Sequence, residues 1–503
     1  MNAVAEAPTA PTAPAVPVAR GIPRAAWLCA LAALVNAVAW SLLIPPFHAP
    51  DENAHFGFAQ YVAETGTPPK HNHGTYSAEE DRTLGAVNFY GVIGRPDQRV
   101  PSGTAADAAL RAVERSHASR KGSGYAGSAT NNPPLYYYAA AAAYRLSPTG
   151  SFVLDRMVWM RILSALMAAG TVLCVFLFCR ELFPDAPWVW PLGALTAAFQ
   201  PVFGFIAGGV QVDNGLILCS AALFLAMAWT LRRGLTARRG AAVGLVLALG
   251  LLVKTTMIAF APAAAVAVLI AAWRVRGERS AWVRGMGAAV VAWAVPLAIY
   301  VFLSVVVWNR PIAGAAETIA SAGTGMHLKP SLRQNLVYGW ELFLPRFGFM
   351  SPQFGDSFPL WDMWFRGLVG RFGWIDYEFP EWVSFAVLPV VVLVVACAVA
   401  GLVRFRAAWR SKWVELAGVY GLAVLGLAAV IAWAGYRYRL DHGAPFEQPR
   451  YLLPLLPLWG ATVALAARAV GRRWGSAVGG LAVMASIAVT VFAQLLTIDR
   501  YYS

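Results

Sequence analysis

The chain has 503 residues, of which 58% are hydrophobic and only 13% charged, and its mean hydropathy is +0.55. That balance excludes an ordinary soluble globule, and the apolar residues come in long runs where a membrane β-barrel would show short alternating segments. The formal charge of +14 is compatible with nucleic-acid binding, but the arginines fall in short clusters between apolar runs, as membrane orientation requires, so no nucleic-acid partner is expected.

Residues 1–24 are rich in Ala and Pro, with no basic residue before Arg20. Such a segment cannot bury enough apolar surface to fold, and it is expected to be a disordered cytoplasmic tail. The run from Ala25 to Ile44 exceeds the roughly 7–15 residue core of a cleaved signal and should stay as an anchor. Residues 25–503 then form one transmembrane domain. Apolar runs at 25–44, 158–179, 189–207, 214–231, 241–253, 257–273, 286–308, 382–403, 413–435, 450–468 and 476–496 predict an all-α polytopic membrane protein of about 11 transmembrane helices. The five cysteines all lie inside apolar stretches, where Cys is a small hydrophobe and marks neither a disulfide framework nor a zinc site.

Charge sets the expected orientation. Basic clusters at Arg232, Arg233, Arg238 and Arg239, at Arg274, Arg276, Arg279 and Arg284, at Arg404, Arg406, Arg410 and Lys412, and at Arg468, Arg472 and Arg473 should all face the cytoplasm, as should the amino terminus. Parity then keeps Pro134–Ser147 from crossing: counted as a span, it would turn every later cluster outward. It reads as an interfacial helix begun by Pro133-Pro134 and anchored at the surface by Tyr136, Tyr137 and Tyr138. The run 241–253 is also short, and a re-entrant pair with the next run is the alternative. Three external loops follow, 45–157, 309–381 and 436–449. The first is long enough for a small subdomain with amphipathic pieces such as Asp107–Arg115. The second holds WELFLPRFGFM and RFGWIDYEFPEW, either an interfacial aromatic belt or a platform for sugars and polyprenyl chains.

The first candidate site is Pro50-Asp51-Glu52-Asn53-Ala54-His55, an acid pair held just outside the first span. Helix capping accounts for one acid but leaves His48 and His55 unexplained. His55 follows Asp51 by four residues, on one helical face, where the two can hydrogen-bond or share a divalent ion. Asp51, His55 and Asp213 are the candidate metal ligands, with no strong ligand spacing among them. Asp213 lies in GGVQVDNG, which reads equally well as an ordinary turn. Cationic candidates are Lys254, Arg450 with its neighbour Tyr451, Arg161 and Arg156, each with interfacial snorkelling as its alternative. One external carboxylate with cations suffices for glycosyl transfer from a lipid phosphate. The acid takes the proton of the attacking hydroxyl and the cations stabilise the departing phosphate, whereas a glycosidase needs two flanking carboxyl groups.

The segments PPFHAPDENAHFGFAQYVAETG, NNPPLYYYAAAAAYRLS, RMVWMRILSALMAAGTVLCVFLFCRELF, VQVDNG, GLLVKTT, RFGWIDYEFPEW and EQPRYLLPLLPL, in this order, resemble a family of predicted bacterial membrane proteins within the GT-C glycosyltransferase superfamily. The match runs over nearly the whole chain after the tail. More distantly the chain is similar to protein O-mannosyltransferases, aminoarabinose transferases and the oligosaccharyltransferase catalytic subunit. The resemblance implies a GT-C-like bundle in the bacterial cytoplasmic membrane, with interfacial helices in the first external loop and an active site on the outer face. It implies a polyprenyl-phosphate-linked sugar donor and a glycan, lipid or protein acceptor. It maps the essential acid of those relatives onto Asp51, with Glu52 as companion, and a second acid onto Asp213. The oligosaccharyltransferase has paired acids there and needs metal, whereas here a single Asp is followed by Asn214. His55, Arg450, Lys254, Arg161, Tyr451 and Asp213 are the expected substrate-binding residues. The rivals are a transporter or flippase for lipid-linked sugars, disfavoured by span centres nearly free of ionisable residues, and a polysaccharide polymerase or ligase using diphosphate-linked glycans.

Overall fold

In hydrocarbon a long apolar run satisfies its backbone groups only as a helix, and every run picked out above is helical in the computed structural model. The structure describes residues 21–69, 75–122, 127–148, 150–310, 312, 331–409, 415–443 and 446–503. Residues 1–20 of the expected tail lie outside these. In chain order the helices are α1 (Arg24–Leu43), α2 (Glu52–Thr65), α3 (Ala78–Ala86), α4 (Phe89–Val92), α5 (Gly103–Arg115), α6 (Leu135–Arg145), α7 (Val153–Leu182), α8 (Trp190–Ala198), α9 (Pro201–Ala207), α10 (Val212–Arg233), α11 (Ala237–Val253), α12 (Ala261–Arg274) and α13 (Arg279–Phe302). There follow α14 (Leu332–Phe343), α15 (Arg366–Gly370), the two-residue strands β1 (Arg371–Phe372) and β2 (Tyr377–Glu378), α16 (Glu381–Arg404), α17 (Arg406–Trp409), α18 (Gly421–His442), α19 (Leu456–Ala469) and α20 (Gly471–Tyr502).

Among the described residues nine helices are long and apolar enough to cross a membrane, or ten if a bent pair is one span, against the eleven expected. The difference lies in two places. The run at 189–207 is a broken helix, its halves bent by 63° where Gln200-Pro201 interrupts the ladder. The run at 241–253 is the 17-residue α11, which stops at the extended Lys254. Two loop boundaries move as well: α7 begins at Val153, before the expected end of the first loop, and α18 runs to His442, into the expected third loop.

The break is an interruption of the kind transporters carry, where 189–207 was expected as one continuous span. It is closed internally, however. Asn36 Nδ2 donates to Ala198 O at 3.0 Å and Thr490 Oγ1 to Phe199 O at 2.7 Å. Gln200 accepts from Phe203 N at 2.5 Å and donates to Leu368 O at 2.8 Å. These bonds give Ala198 O, Phe199 O and Phe203 N partners at the interruption, which is what makes non-helical backbone tolerable at this depth.

Helix α10 is the most enclosed span, 72% of its apolar window being buried, whereas α13 is buried over only 6% of its window and presents its apolar surface outward. The first external loop is a helical subdomain with its own core, built from Phe56, Phe58, Leu84, Phe89, Tyr136, Tyr137, Tyr144 and Met157. Helix α6, about 16 Å long at 1.5 Å per residue, is too short to cross. Its tyrosines do not anchor it at a surface as expected: Tyr136 and Tyr137 are buried, and Tyr137 stacks on Phe58 with ring centroids 3.7 Å apart. The second aromatic segment likewise turns inward. Phe372, Tyr377 and Phe379 are buried in the bundle core, and Phe372 packs on Trp40 at 5.7 Å, so these three rings serve as core, while Trp382 at the end of the segment stays exposed.

The described members of the basic clusters gather at one end of the bundle; Arg410 and Lys412 lie outside the described residues. Arg233 pairs with Glu181 at 2.5 Å, Arg274 with Glu415, Arg468 with Asp185, and Arg404 donates to Ala469 O at 2.7 Å. Asp213, at the other end of α10 from Arg233, belongs to the opposite face of the molecule.

Candidate functional site

Asp51 is the N-cap of α2, yet its side chain makes no capping bond, and its backbone is left-handed at φ 58°. Phe47 shares that rare conformation at φ 68°. Two such residues four apart are costly, and strain of this kind persists only where the surroundings impose it. The surroundings are visible. Glu52, wholly buried, accepts from Arg161 Nε at 2.8 Å, Arg161 Nη2 at 2.7 Å and Val210 N at 2.8 Å. Arg161 gives its remaining hydrogens to Ser41 O at 2.8 Å, Ile44 O at 2.9 Å and Pro45 O at 3.1 Å. All five guanidinium donors are thereby used. Gly209 lets the two segments touch, because a Cβ there would stand 2.5 Å from that of Ala49.

This geometry corrects two expectations. Glu52 has no free oxygen and no exposure with which to act on a substrate, and Arg161 has no hydrogen left for a phosphate. Together they clamp the end of α1, the 45–51 loop and the 209–210 turn, and so aim Asp51. Arg156 is likewise structural, bound to Glu79 at 2.5 Å and to Tyr144 at 3.0 Å inside the subdomain.

The other candidates converge. Arg450, in the 3-10 stretch Pro449–Leu455, binds Asp51 Oδ2 through Nη2 at 2.5 Å, and its Nε lies 3.6 Å from Asp213 Oδ2. Lys254, freed from the helix where α11 ends, binds Asp213 Oδ1 at 2.5 Å. Both cations sit over the ring of Tyr451, at 5.7 and 5.9 Å. The result is a chain of alternating charge, Asp51–Arg450–Asp213–Lys254, assembled from four distant parts of the sequence. Asp51 is its more accessible end: 27% of the Asp51 side chain is exposed, against 19% for Lys254, 6% for Arg450 and 5% for Asp213. Burial opposes the Asp51 charge, but the Arg450 guanidinium, with help from Lys254, outweighs it and holds the carboxyl below its usual range.

His55 is buried beside this chain, and its Nδ1 lies 2.9 Å from the Tyr137 hydroxyl. Burial lowers its pKa to about 4, so the imidazole is neutral. His48, buried between Phe89 and Tyr501, is pushed down further, to about 3, by burial and by Arg500 and Arg161. As a metal site the cluster fits poorly. Each carboxylate is already engaged by a cation, and no group of three His, Cys, Asp or Glu able to hold an ion occurs among the described residues.

Several buried polar atoms around the chain of charges have no hydrogen-bond partner: Nε and Nη1 of Arg450, both amide atoms of Gln211, and Oδ1 of Asn214. Buried donors and acceptors are rarely left unmet; here those of Arg450 adjoin the Asp51 carboxylate, while Gln211 and Asn214 flank Asp213 in the chain. Sequence reasoning passed over Gln211, although it stands two residues before Asp213. It also missed Glu447, whose buried carboxyl, pushed up by burial, receives the Tyr338 hydroxyl and the Phe446 amide in a gap left by Gly435. That contact ties the Arg450 segment to α14.

Beneath the charges lies a cavity of 670 Å³ with an almost wholly apolar lining. Leu452 and Leu455 from the Arg450 segment, Trp361 and Trp364, Val391 of α16 and Val489 of α20 are among its walls.

Fold and site together define a polytopic all-α membrane protein with an ion-paired polar centre at one end and an apolar cavity adjoining it. The chain belongs to the family described as "Predicted membrane protein (DUF2142)", whose profile matches residues 34–459. No curated protein matches it in sequence. Among solved structures it is similar to the oligosaccharyltransferase of Archaeoglobus fulgidus in the apo form, at 14% identity and TM-score 0.45, over 95% of this chain and 56% of that one. It is similar also to ArnT from Cupriavidus metallidurans bound to undecaprenyl phosphate, at 14% identity and TM-score 0.45, over 93% of this chain and 75% of that one. The Archaeoglobus fulgidus oligosaccharyltransferase AglB in complex with an inhibitory peptide and a dolichol-phosphate matches at 13% identity and TM-score 0.44, over 95% of this chain and 56% of that one. The chain thus spans little more than half the length of the archaeal proteins it matches. At this identity and overlap the likeness carries nothing about chemistry.

Proposed function

We propose that this protein is an inverting GT-C-type glycosyltransferase that moves a hexose or pentose from a polyprenyl phosphate to a glycan, lipid or protein acceptor. On this reading it works at the outer face of the bacterial cytoplasmic membrane, in the building of cell-envelope polysaccharide. One observation carries the reading. The seven-residue stretch Pro449–Leu455 presents Arg450, with two nitrogens that make no hydrogen bond, to the carboxylates, while its leucines line the apolar cavity. A single element therefore offers a cation to an anionic head and a wall to a greasy tail, the two halves of a lipid phosphate.

The chemistry follows from the charge chain. A donor phosphate competes with Asp51 for Arg450, and as the ion pair opens the Asp51 carboxylate recovers the basicity that the pair suppressed. Asp51 then takes the proton of the acceptor hydroxyl as the acceptor oxygen bonds to the anomeric carbon from the face opposite the phosphate. The carbon–oxygen bond to phosphate breaks, its electron pair leaves on the lipid phosphate, and Arg450 and Lys254 stabilise that charge. Asp213 holds both cations in place, and Gln211 and Tyr451 face the sugar. No step passes through a metal.

The test is to incubate purified protein with a panel of polyprenyl-phosphate sugars and follow release of lipid phosphate. Release with one donor, lost in Asp51→Asn while the variant still folds, is the expected result. Normal transfer by Asp51→Asn would refute the assignment of the base. The broken span at Gln200 favours a second reading, a flippase for lipid-linked sugars. Movement of such lipids across sealed vesicles without any covalent product would put that reading first.

A further inference from the structure

Helix α14 is amphipathic in the wrong sense for a water-facing element. Its inner face, Tyr338, Glu341 and Leu342, is buried. Its outer face carries Leu332 at 76% exposure and Leu336 at 65%, with Trp340 at the next position of the same four-residue spacing. The ridge continues past the helix end. Trp340 packs on Phe347 at 5.1 Å and Phe347 stacks on Phe349 at 5.5 Å, and Phe349 is 80% exposed. Exposed Arg333 and Arg346 flank the ridge. An apolar band of this length, held out by a well-packed inner face, marks a contact surface and not an accident of folding.

We propose that α14 and the following 344–350 segment dock into the headgroup region of the bilayer, lying in the membrane plane beside the mouth of the apolar cavity. Two observations choose the lipid surface over a protein partner. The first is continuity: α14 packs on α18, whose outer face exposes Leu425 and Trp433. The cavity-lining Trp361 meets exposed Phe385 of α16 at 5.2 Å. The ridge thus merges with surfaces that already face hydrocarbon. The second is charge: two arginines beside an apolar ridge, with no acidic residue exposed on that face of α14, match anionic headgroups. Docking would set the height of the cavity wall formed by Leu360 and Trp361 at the acyl chains from which a lipid enters. The inference stands whatever reaction the centre catalyses.

The test uses the full chain in nanodiscs of mixed phosphatidylcholine and phosphatidylglycerol, with Leu336→Cys or Phe349→Cys carrying an environment-sensitive fluorophore; the native cysteines lie in spans, and the unsubstituted protein gives the background. Expected are blue-shifted emission, strong quenching by lipids with a doxyl group high on the acyl chain, and little quenching by aqueous iodide. Arg333→Gln with Arg346→Gln should weaken the doxyl quenching in the mixed nanodiscs, and removing phosphatidylglycerol should weaken it in the parent but add little in that variant. Iodide quenching without doxyl quenching overturns the proposal in favour of a water-facing surface. Insensitivity to both quenchers overturns it in favour of a protein cover.

Discussion

The adjacent acids Asp51 and Glu52 should fail in opposite ways. Glu52→Gln removes the negative charge from a pair in which Arg161 is 5% exposed and Glu52 not at all, while the bonds from Arg161 to three backbone carbonyls keep the guanidinium inside. Removing one partner of a buried pair leaves an uncompensated charge and typically costs about 3–5 kcal/mol. An amide can also accept only part of what the carboxylate accepted, so either Arg161 Nη2 or both Arg161 Nε and the Val210 amide lose their acceptor. Asp51→Asn, at a partly exposed position and with Asp213 still facing Arg450, should cost no more than about 1 kcal/mol. Thermal unfolding of the purified variants, followed by loss of the monodisperse species on heating, reads the first difference, and lipid-phosphate release reads the second. Asp51→Asn should melt near the parent and transfer no sugar; Glu52→Gln should melt well below it and, when assayed cold, retain transfer. A Glu52→Gln protein as stable as the parent but catalytically dead would show that the clamp assignment is wrong and that Glu52 belongs to the chemistry.

Acidification should destabilise the protein through its two buried histidines. Their folded pKa values, about 3 for His48 and about 4 for His55, lie below the unfolded value near 6.5, so the unfolded chain binds more protons and stability falls as pH drops from 6.5 toward 4. At pH 5 this amounts to about 2 kcal/mol for each, and His48→Gln or His55→Gln should flatten the melting-temperature profile between pH 7 and 5; an unchanged slope in both variants rules the mechanism out. Filling the cavity with Leu452→Trp should raise KM for a long-chain polyprenyl donor roughly tenfold, about 1.4 kcal/mol, while leaving a short-chain analogue unaffected; equal effects on both would separate the cavity from lipid binding. Gly209→Ala, which sets a methyl 2.5 Å from the Ala49 Cβ, should shift the 45–52 segment and cost about 1–3 kcal/mol in stability. A melting temperature equal to the parent's would mean the two segments are not clamped as described.

How much of this was legible in the sequence depends on whether the deciding contact is local. Span positions follow from runs of apolar residues, which are local, and helices stand at all of them. The two departures come from single polar residues whose effect on the backbone a run of apolar neighbours does not reveal. Gln200-Pro201 breaks one span, and the extended Lys254 ends another short of a full crossing. The reversal of Tyr136 and Tyr137 has a different cause. Tyrosine serves equally as an interfacial anchor and as a core residue, and only the stacking of Phe58 on Tyr137, across a long stretch of chain, decides between them. Asp51, Asp213, Lys254 and Arg450 each stood out as ionisable residues at the ends of apolar runs, and all four meet. Nothing local distinguished them from Arg161 and Glu52, which stood out for the same reason and pair with each other. What separates the two sets is the count of unmet donors. Arg161 spends its last hydrogen on a backbone carbonyl, Arg450 keeps two nitrogens in reserve, and a reserve of that kind appears only once every neighbour is in place. The assignment of chemistry to Arg450 and of architecture to Arg161 therefore rests on hydrogen-bond saturation. Arg161→Lys should tell the two roles apart: three donors in place of five cannot hold the loop and Glu52 together, and the loss should appear in folding before it appears in donor affinity.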